Sequence, residues 1–160
     1  MTAVNVRAAT VDDCPALADL IGGLLAQHDT RAPADFATVL ARDEFGATAR
    51  FKALIAEHDG GAVGAALYYP VYRPSLAGHG LLMEDLYVRP AARRLGVGRR
   101  IMARLAGLAR ARACRYIEWV TAAGNVAGQS FYGALGAVPI ADRTGYQIDG
   151  DALARLAGEV

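Results

Sequence analysis

Of the seventeen basic residues in this 160-residue chain only Lys52 is a lysine, and the chain has just two cysteines, three histidines and one tryptophan. Cys14 and Cys114 lie far apart, with no Cys-x-x-Cys and no histidine at ligand spacing. That argues against a disulfide framework or a metal site, and both read as small apolar packing residues. A formal net charge of +1 gives no overall reason to invoke nucleic acid or an anionic membrane as a partner. No apolar run approaches the ~18 residues of a membrane span. Met1 to Arg7 holds no apolar signal core, so a cytoplasmic protein is expected. Repeats, low-complexity tracts and linkers are lacking as well. The length suits one domain over residues 1–160, which would bury roughly two thirds of its unfolded surface.

Strand-like and helix-like segments alternate along the chain. Val4 to Ala8 reads as a strand, and Thr10 with Asp13 offers a capping box for a helix through Leu17, Leu20, Ile21, Leu24 and Leu25. Gly22-Gly23 costs that helix roughly 1 kcal/mol per glycine, so a break or kink is expected there. Pro33 to Arg42 reads as a weaker helix. Phe51 to His58 and Ala62 to Tyr72 are rich in strand formers, and Asp59-Gly60-Gly61 between them is a hairpin signal. A loop at Pro74 to Gly80 precedes a strand at Leu81 to Val88. Then come a helix from Gly98 to about Arg112, a strand at Arg115 to Thr121 and a helix from Val126 to Leu135. Strand-like pieces at Ala137 to Ala141 and Tyr146 to Ile148 and a short helix at Asp151 to Leu156 complete the chain. This order implies a mixed sheet covered by helices.

The densest chemistry lies where Met83-Glu84-Asp85-Leu86-Tyr87-Val88 runs into Arg93-Arg94-Leu95-Gly96-Val97-Gly98-Arg99. Glycines at the mouth of a helix let backbone N–H groups approach an anion, and the helix dipole and nearby arginines add favourable charge. Nine arginines and no acid fall between Arg89 and Arg115, so a phosphorylated ligand is expected at this turn. The P-loop is excluded, because Gly98 is followed by Arg99 and Arg100 rather than by Lys-Ser/Thr. A dinucleotide fingerprint needs a third glycine where Ile101 stands, although Glu118 falls near the distance of a ribose-binding acid.

What remains, Arg-x-x-Gly-x-Gly at Arg93, Gly96 and Gly98 after an acidic strand end, resembles the pyrophosphate loop of the GNAT superfamily of acyl-CoA-dependent N-acetyltransferases. A second segment, Asn125 through Phe131-Tyr132 to Gly136-Ala137, resembles the ending of such domains. The resemblance narrows toward the diamine (spermidine/spermine) acetyltransferase type through Arg7 to Thr10, Asp13-Cys14, Tyr68-Tyr69, Glu84 to Val88 and Gly145-Tyr146. It implies an α/β (α+β) fold with a mixed, mostly antiparallel central sheet flanked by helices, and a homodimer. Acetyl-CoA is the implied cosubstrate, with no metal. Its implied binding residues are Leu86, Tyr87, Val88, Arg93, Arg94, Leu95, Gly96, Val97, Gly98, Arg99, Asn125 and Tyr132.

Moving an acetyl group from a thioester to an amine requires a neutral amine, donors for the oxyanion and an acid for the departing thiolate. An alkylamine of pKa ~10.4 is only about 0.1% neutral at pH 7.4, so proton removal at the site is needed, which a carboxylate with a water path can supply. The resemblance gives that role, through water, to Glu84. Adjacent residues of a regular strand leave opposite faces, so only one of Glu84 and Asp85 is expected to enter a given cleft. Tyr132 is the expected general acid, since a phenol of pKa ~10 is protonated at neutral pH. Backbone N–H groups between Leu86 and Val88 are candidate donors to the thioester carbonyl.

The acceptor is a small amine, polyamine or lysine-like, with Glu84, Asp85, Arg73 and Tyr146 as the residues to meet it. Diamine acetyltransferases carry an acid and a tryptophan where Arg73 and Ser75 stand, and another acid where Thr144 stands. Such a change repels a polycation and suits an amine that also bears a carboxylate. A non-catalytic acyl-CoA sensor and a protein N-acetyltransferase are the competing readings. Retention of both Glu84 and Tyr132 favours the enzyme.

Overall fold

In the computed structural model, which describes residues 3–141 and 144–159, five strands lie in sequence order in one sheet. They are β1 (Asn5–Ala8), β2 (Lys52–His58), β3 (Gly61–Arg73), β4 (Gly78–Val88) and β5 (Ile117–Glu118). Strands β1 to β4 pair antiparallel, and β4 pairs with β5 in parallel. Met1 and Thr2, at the start of the stretch without a signal core, lie outside the described residues. The chain divides into two compact units, Met1–Val120 and Thr121–Val160. The whole sheet belongs to the first.

The β2–β3 hairpin turns where the sequence signals it, with positive φ at both Asp59 and Gly60. That is the geometry whose twist matches the flanking strands. The capping box also forms: the Asp13 carboxylate accepts the Thr10 backbone N–H at 2.7 Å and its hydroxyl at 3.0 Å. Asp13 accepts both arms of the Arg7 guanidinium as well, at 2.6 and 2.9 Å, and this pairing holds its carboxyl well below the usual range.

Helix α1 (Cys14–Ala26) does not break at Gly22-Gly23. Cys14, Leu17, Leu20 and Ile21 are buried against Ile55, Ala65, Leu67 and Tyr87, and each large side chain so buried contributes about 1.5–3 kcal/mol. That exceeds the helix-propensity cost of the two glycines. Gly23 also has a packing reason: a Cβ there would lie 2.7 Å from the Tyr87 hydroxyl. Helix α2 (Phe36–Phe45) sits about three residues later than the spacing predicts. Helix α3 (Val97–Ala111) buries Val97, Ile101, Leu105 and Ala109. Gly64 approaches Val97 and Ile101, whereas its neighbour Ala65 belongs to the α1 cluster, so α1 and α3 cover opposite faces of the sheet.

Three further expectations are corrected. Strand β4 begins at Gly78, inside the segment read as loop, because Gly78 and Gly80 pair with Arg73 and Val71. Strand β5 is confined to Ile117–Glu118 instead of Arg115 to Thr121. In the second unit, helices α4 (Val126–Gly133) and α5 (Gly150–Ala157) form, but Ala137 to Ala141 and Tyr146 to Ile148 are not strands. Their apolar side chains Val138, Ile140, Tyr146 and Ile148 are exposed, so period-2 patterning there reflects no buried sheet face. Among the described residues no helix is long and apolar enough to cross a membrane.

Candidate active site

The register between β3 and β4 skips one residue. Tyr68 pairs with Met83 and Leu67 with Asp85, so Glu84 is the extra residue of a β-bulge. Leu67 packs in the α1 cluster, and Asp85, directly opposite, shares its face. Tyr69 lies on that same face two residues away, and its hydroxyl donates to the Glu84 carboxylate at 2.9 Å. Both acids therefore occupy one face of the sheet. The expectation that adjacency sends them to opposite faces fails because the bulge interrupts the period of two.

Asp85 is partly buried while Glu84 is exposed. Burial, and then the neighbouring Glu84 charge, push the Asp85 carboxyl up, and His28 just beyond α1 partly offsets this. Burial also raises the Tyr69 phenol, and its bond to Glu84 adds to the effect. Two close carboxylates, one reluctant to ionise, form a place where an ammonium relieves repulsion and a proton finds an acceptor. The sequence marks Tyr69 only as part of the resemblance, with no role at the site, and gives no sign of His28. The trace the site leaves there is the pair of consecutive acids in an apolar strand, since regular alternation would drive one acid into a helix-covered core.

Among the described residues the other flank of β4 is open beyond Leu82. It pairs with β5 only at Leu81 and Leu82, opposite Ile117 and Glu118, and then runs on to Val88. The Arg89 N–H donates to the Val63 carbonyl at 2.9 Å. By alternation, the backbone groups of Leu86 and Val88 turn away from β3, toward the side where the β5 ladder has ended. The Val88 carbonyl accepts the Arg93 side chain at 3.1 Å.

At the end of this open edge Arg94 and Gly96 both take left-handed backbone, with φ of +65° and +80°. Gly96 caps α3 without any side-chain hydrogen bond, and no acid lies in the first helical turn. Arg93, Arg94, Leu95, Gly96 and Arg99 are exposed, Gly98 is half-buried and Val97 anchors the helix in the core. Orphan N–H groups and arginines at one helix mouth fit a pyrophosphate. Tyr87, by contrast, is buried against α1.

In the second unit, Asn125 caps α4 by accepting the Gly128 N–H at 3.0 Å and donating to the Thr121 hydroxyl at 3.0 Å. That cap sets the start of the helix that carries Tyr132. The Tyr132 ring lies 5.2 Å from Phe131, tilted by 57°, and burial raises its phenol. It therefore stays protonated at neutral pH. Tyr146 is 95% exposed. In the first unit Arg73 forms an ion pair with Glu118 and stacks over the Tyr116 ring at 4.6 Å.

A mixed sheet with a bulged, splayed central strand leading to a glycine turn and helix is the frame of an acyl-CoA N-acetyltransferase. Residues 23–137 match the Acetyltransferase (GNAT) family, and the chain belongs to that family of N-acetyltransferases, which uses acetyl-CoA as donor. It is 31% identical over 152 residues to spermidine/spermine N(1)-acetyltransferase-like protein 1 of Homo sapiens, covering 90% of this chain and 22% of that protein. Thialysine N-epsilon-acetyltransferase of Bos taurus is 28% identical over 171 aligned positions, covering 99% of this chain and all of that one. Among solved structures, an integron cassette protein from the mobile metagenome of V. cholerae superposes with a TM-score of 0.86 at 26% identity, over 98% of each chain.

Proposed function

We propose that the protein transfers the acetyl group of acetyl-CoA to the primary amine of a small acceptor, a polyamine or a lysine-like compound, by direct attack. The observation that carries this reading is the carboxylate pair Glu84 and Asp85 on one face of the bulge, in a strand whose far edge is open. When bound, the donor supplies an activated acetyl thioester. Leu86 and Val88 present backbone N–H groups for its carbonyl oxygen. Arg93 to Arg99, with the left-handed Gly96, cradle its pyrophosphate. Asn125 is proposed to meet the pantetheine arm, in addition to capping its helix.

Glu84, the exposed acid, takes the amine proton through water, while Asp85 holds the ammonium in place beforehand. Tyr132 hands a proton to the departing thiolate. Because Arg73 is engaged by Glu118, the acidic pair dominates the charge on this face, which favours an acceptor with a second cationic group over one selected by a carboxylate. The names of the human and bovine relatives, a spermidine/spermine-type and a thialysine enzyme, support that class. The exposed Tyr146 is assigned to the acceptor by resemblance alone, and a cytoplasmic homodimer is part of the same proposal.

The test is CoA release from acetyl-CoA against spermidine, putrescine, lysine, thialysine and neutral aminoglycoside-like amines. Turnover of the dicationic and lysine-like amines is expected. In Tyr132→Phe, turnover should fall about tenfold or more with little change in acetyl-CoA affinity. An unchanged rate removes Tyr132 from the acid role. Saturable acetyl-CoA binding with no turnover on any amine moves the protein to a sensor or to a protein acceptor.

A further inference from the structure

Strand β5 is two residues long, and its backbone links to β4 include the Leu81 N–H to the Tyr116 carbonyl at 3.1 Å and the Arg115 N–H to the His79 carbonyl at 3.0 Å. So short a ladder is a weak hold on the strand that borders the open edge of β4. Side chains supply the rest. Arg73, the last residue of β3, pairs with Gly78 on β4. From there its guanidinium reaches past β4 to β5, where it lies over the Tyr116 ring and pairs with Glu118. Glycine on β4 makes room for this. A Cβ on Gly80 would meet the Tyr116 ring at 2.5 Å, and one on Gly78 would meet the Arg115 side chain at 2.5 Å.

The Arg73 and Glu118 side chains are only 20% and 17% exposed, so solvent screens their attraction less than that of a surface pair. Among the described residues the buried Tyr116 hydroxyl has no hydrogen-bond partner. The ring is therefore held by stacking and packing, and not by its phenol. Planar guanidinium on one face, packed strand on the other, is an arrangement that lysine does not reproduce.

We propose that Arg73 is a positioning residue that staples β5 to the hairpin end of β4 and so fixes where the two strands part, instead of touching the acceptor amine. The proposal rests on the reading of that parting as the acetyl-CoA slot. Its consequence for turnover is carried by the donor, since a β5 that drifts changes the slot width and leaves Glu84 and Asp85 on their bulge.

Amide hydrogen exchange reads the staple without any ligand. In Arg73→Gln, the Leu81 and Arg115 amides should exchange about tenfold faster, with Arg89, bonded to β3, unchanged. The charge swap Arg73→Glu with Glu118→Arg should restore protection, Tyr116→Leu should lose it and Tyr116→Phe should keep it. In turnover, Arg73→Gln should raise KM for acetyl-CoA about tenfold at constant acceptor KM. A rise confined to the acceptor KM, with Leu81 and Arg115 still protected, overturns the proposal and makes Arg73 a substrate ligand. A folded swap variant that stays unprotected also overturns it. Should Arg73→Gln not fold, Arg73→Lys replaces it: intermediate exchange supports the staple and wild-type exchange overturns it. Failure of the wild type to bind acetyl-CoA by calorimetry would sink the donor-slot reading and leave the exchange result standing.

Discussion

The two halves of β4 are made from one continuous strand and do opposite work. From Gly78 to Leu82 the strand is flanked on both sides, by β3 and by β5, and its glycines let neighbouring side chains close over it. From Asp85 to Val88 it keeps β3 but, among the described residues, pairs with no strand on its other edge. The bulge at Glu84 is the boundary. A sheet builds stability by completing its ladder, and it becomes a site where the ladder is interrupted while the surrounding strand stays rigid.

The largest expected effect falls at the end of the open half. Gly96→Val should abolish measurable acetyl-CoA binding, a loss of about a hundredfold or more, while the fold survives, because nothing lies within 4 Å of a Cβ there and the strain is confined to its left-handed backbone. Isothermal titration against circular dichroism checks both parts, and wild-type affinity in the variant would remove this turn from the donor site. The closed half should respond in the reverse way. Gly80→Val drives a side chain into the Tyr116 ring and should cost about 1–3 kcal/mol of stability, read as a lowered denaturation midpoint, whether or not ligand is present. A variant with unchanged stability would show that Tyr116 does not lie over β4.

The smallest effect sharpens the contrast. The folded-state pKa of Asp85 is raised above its unfolded value, so the ionised group opposes folding. That penalty is absent below the unfolded pKa of about 3.9 and grows as pH rises through the folded value. Asp85→Asn should therefore raise Tm modestly at pH 7, with the gain vanishing below about pH 4, and should weaken acceptor binding at the same time. Equal Tm values at pH 7 would mean that Asp85 carries no such strain. Asp13 has the opposite sign: its lowered carboxyl adds stability that is complete above the unfolded pKa and is lost only on strong acidification.

Much of this architecture is legible in the sequence where the cause is local. Asp59-Gly60 forms its turn, Thr10 and Asp13 form their box, and the glycine turn caps α3 because each depends on residues a few positions apart. What was not legible has a distant cause. Gly22-Gly23 reads as a helix break, because the Tyr87 hydroxyl that needs the space at Gly23 comes from another strand. The shared face of Glu84 and Asp85 follows from a register shift, which no periodicity reveals. Nothing local in the sequence joins Arg73 to Glu118 and Tyr116, which lie far along the chain from it.

The basic turn at Arg93 to Arg99 is built wholly from guanidinium groups, and the only lysine of the chain, Lys52, points its ammonium toward the Glu44 carbonyl at 3.4 Å. A guanidinium keeps its proton at any physiological pH, whereas an ammonium releases a fraction of its own and becomes a nucleophile. On the proposed reading, a turn that grips the donor's pyrophosphate with arginine holds it by charge without offering an amine that the thioester can acylate. The residue type proposed to bind the reagent would then also protect the protein from it.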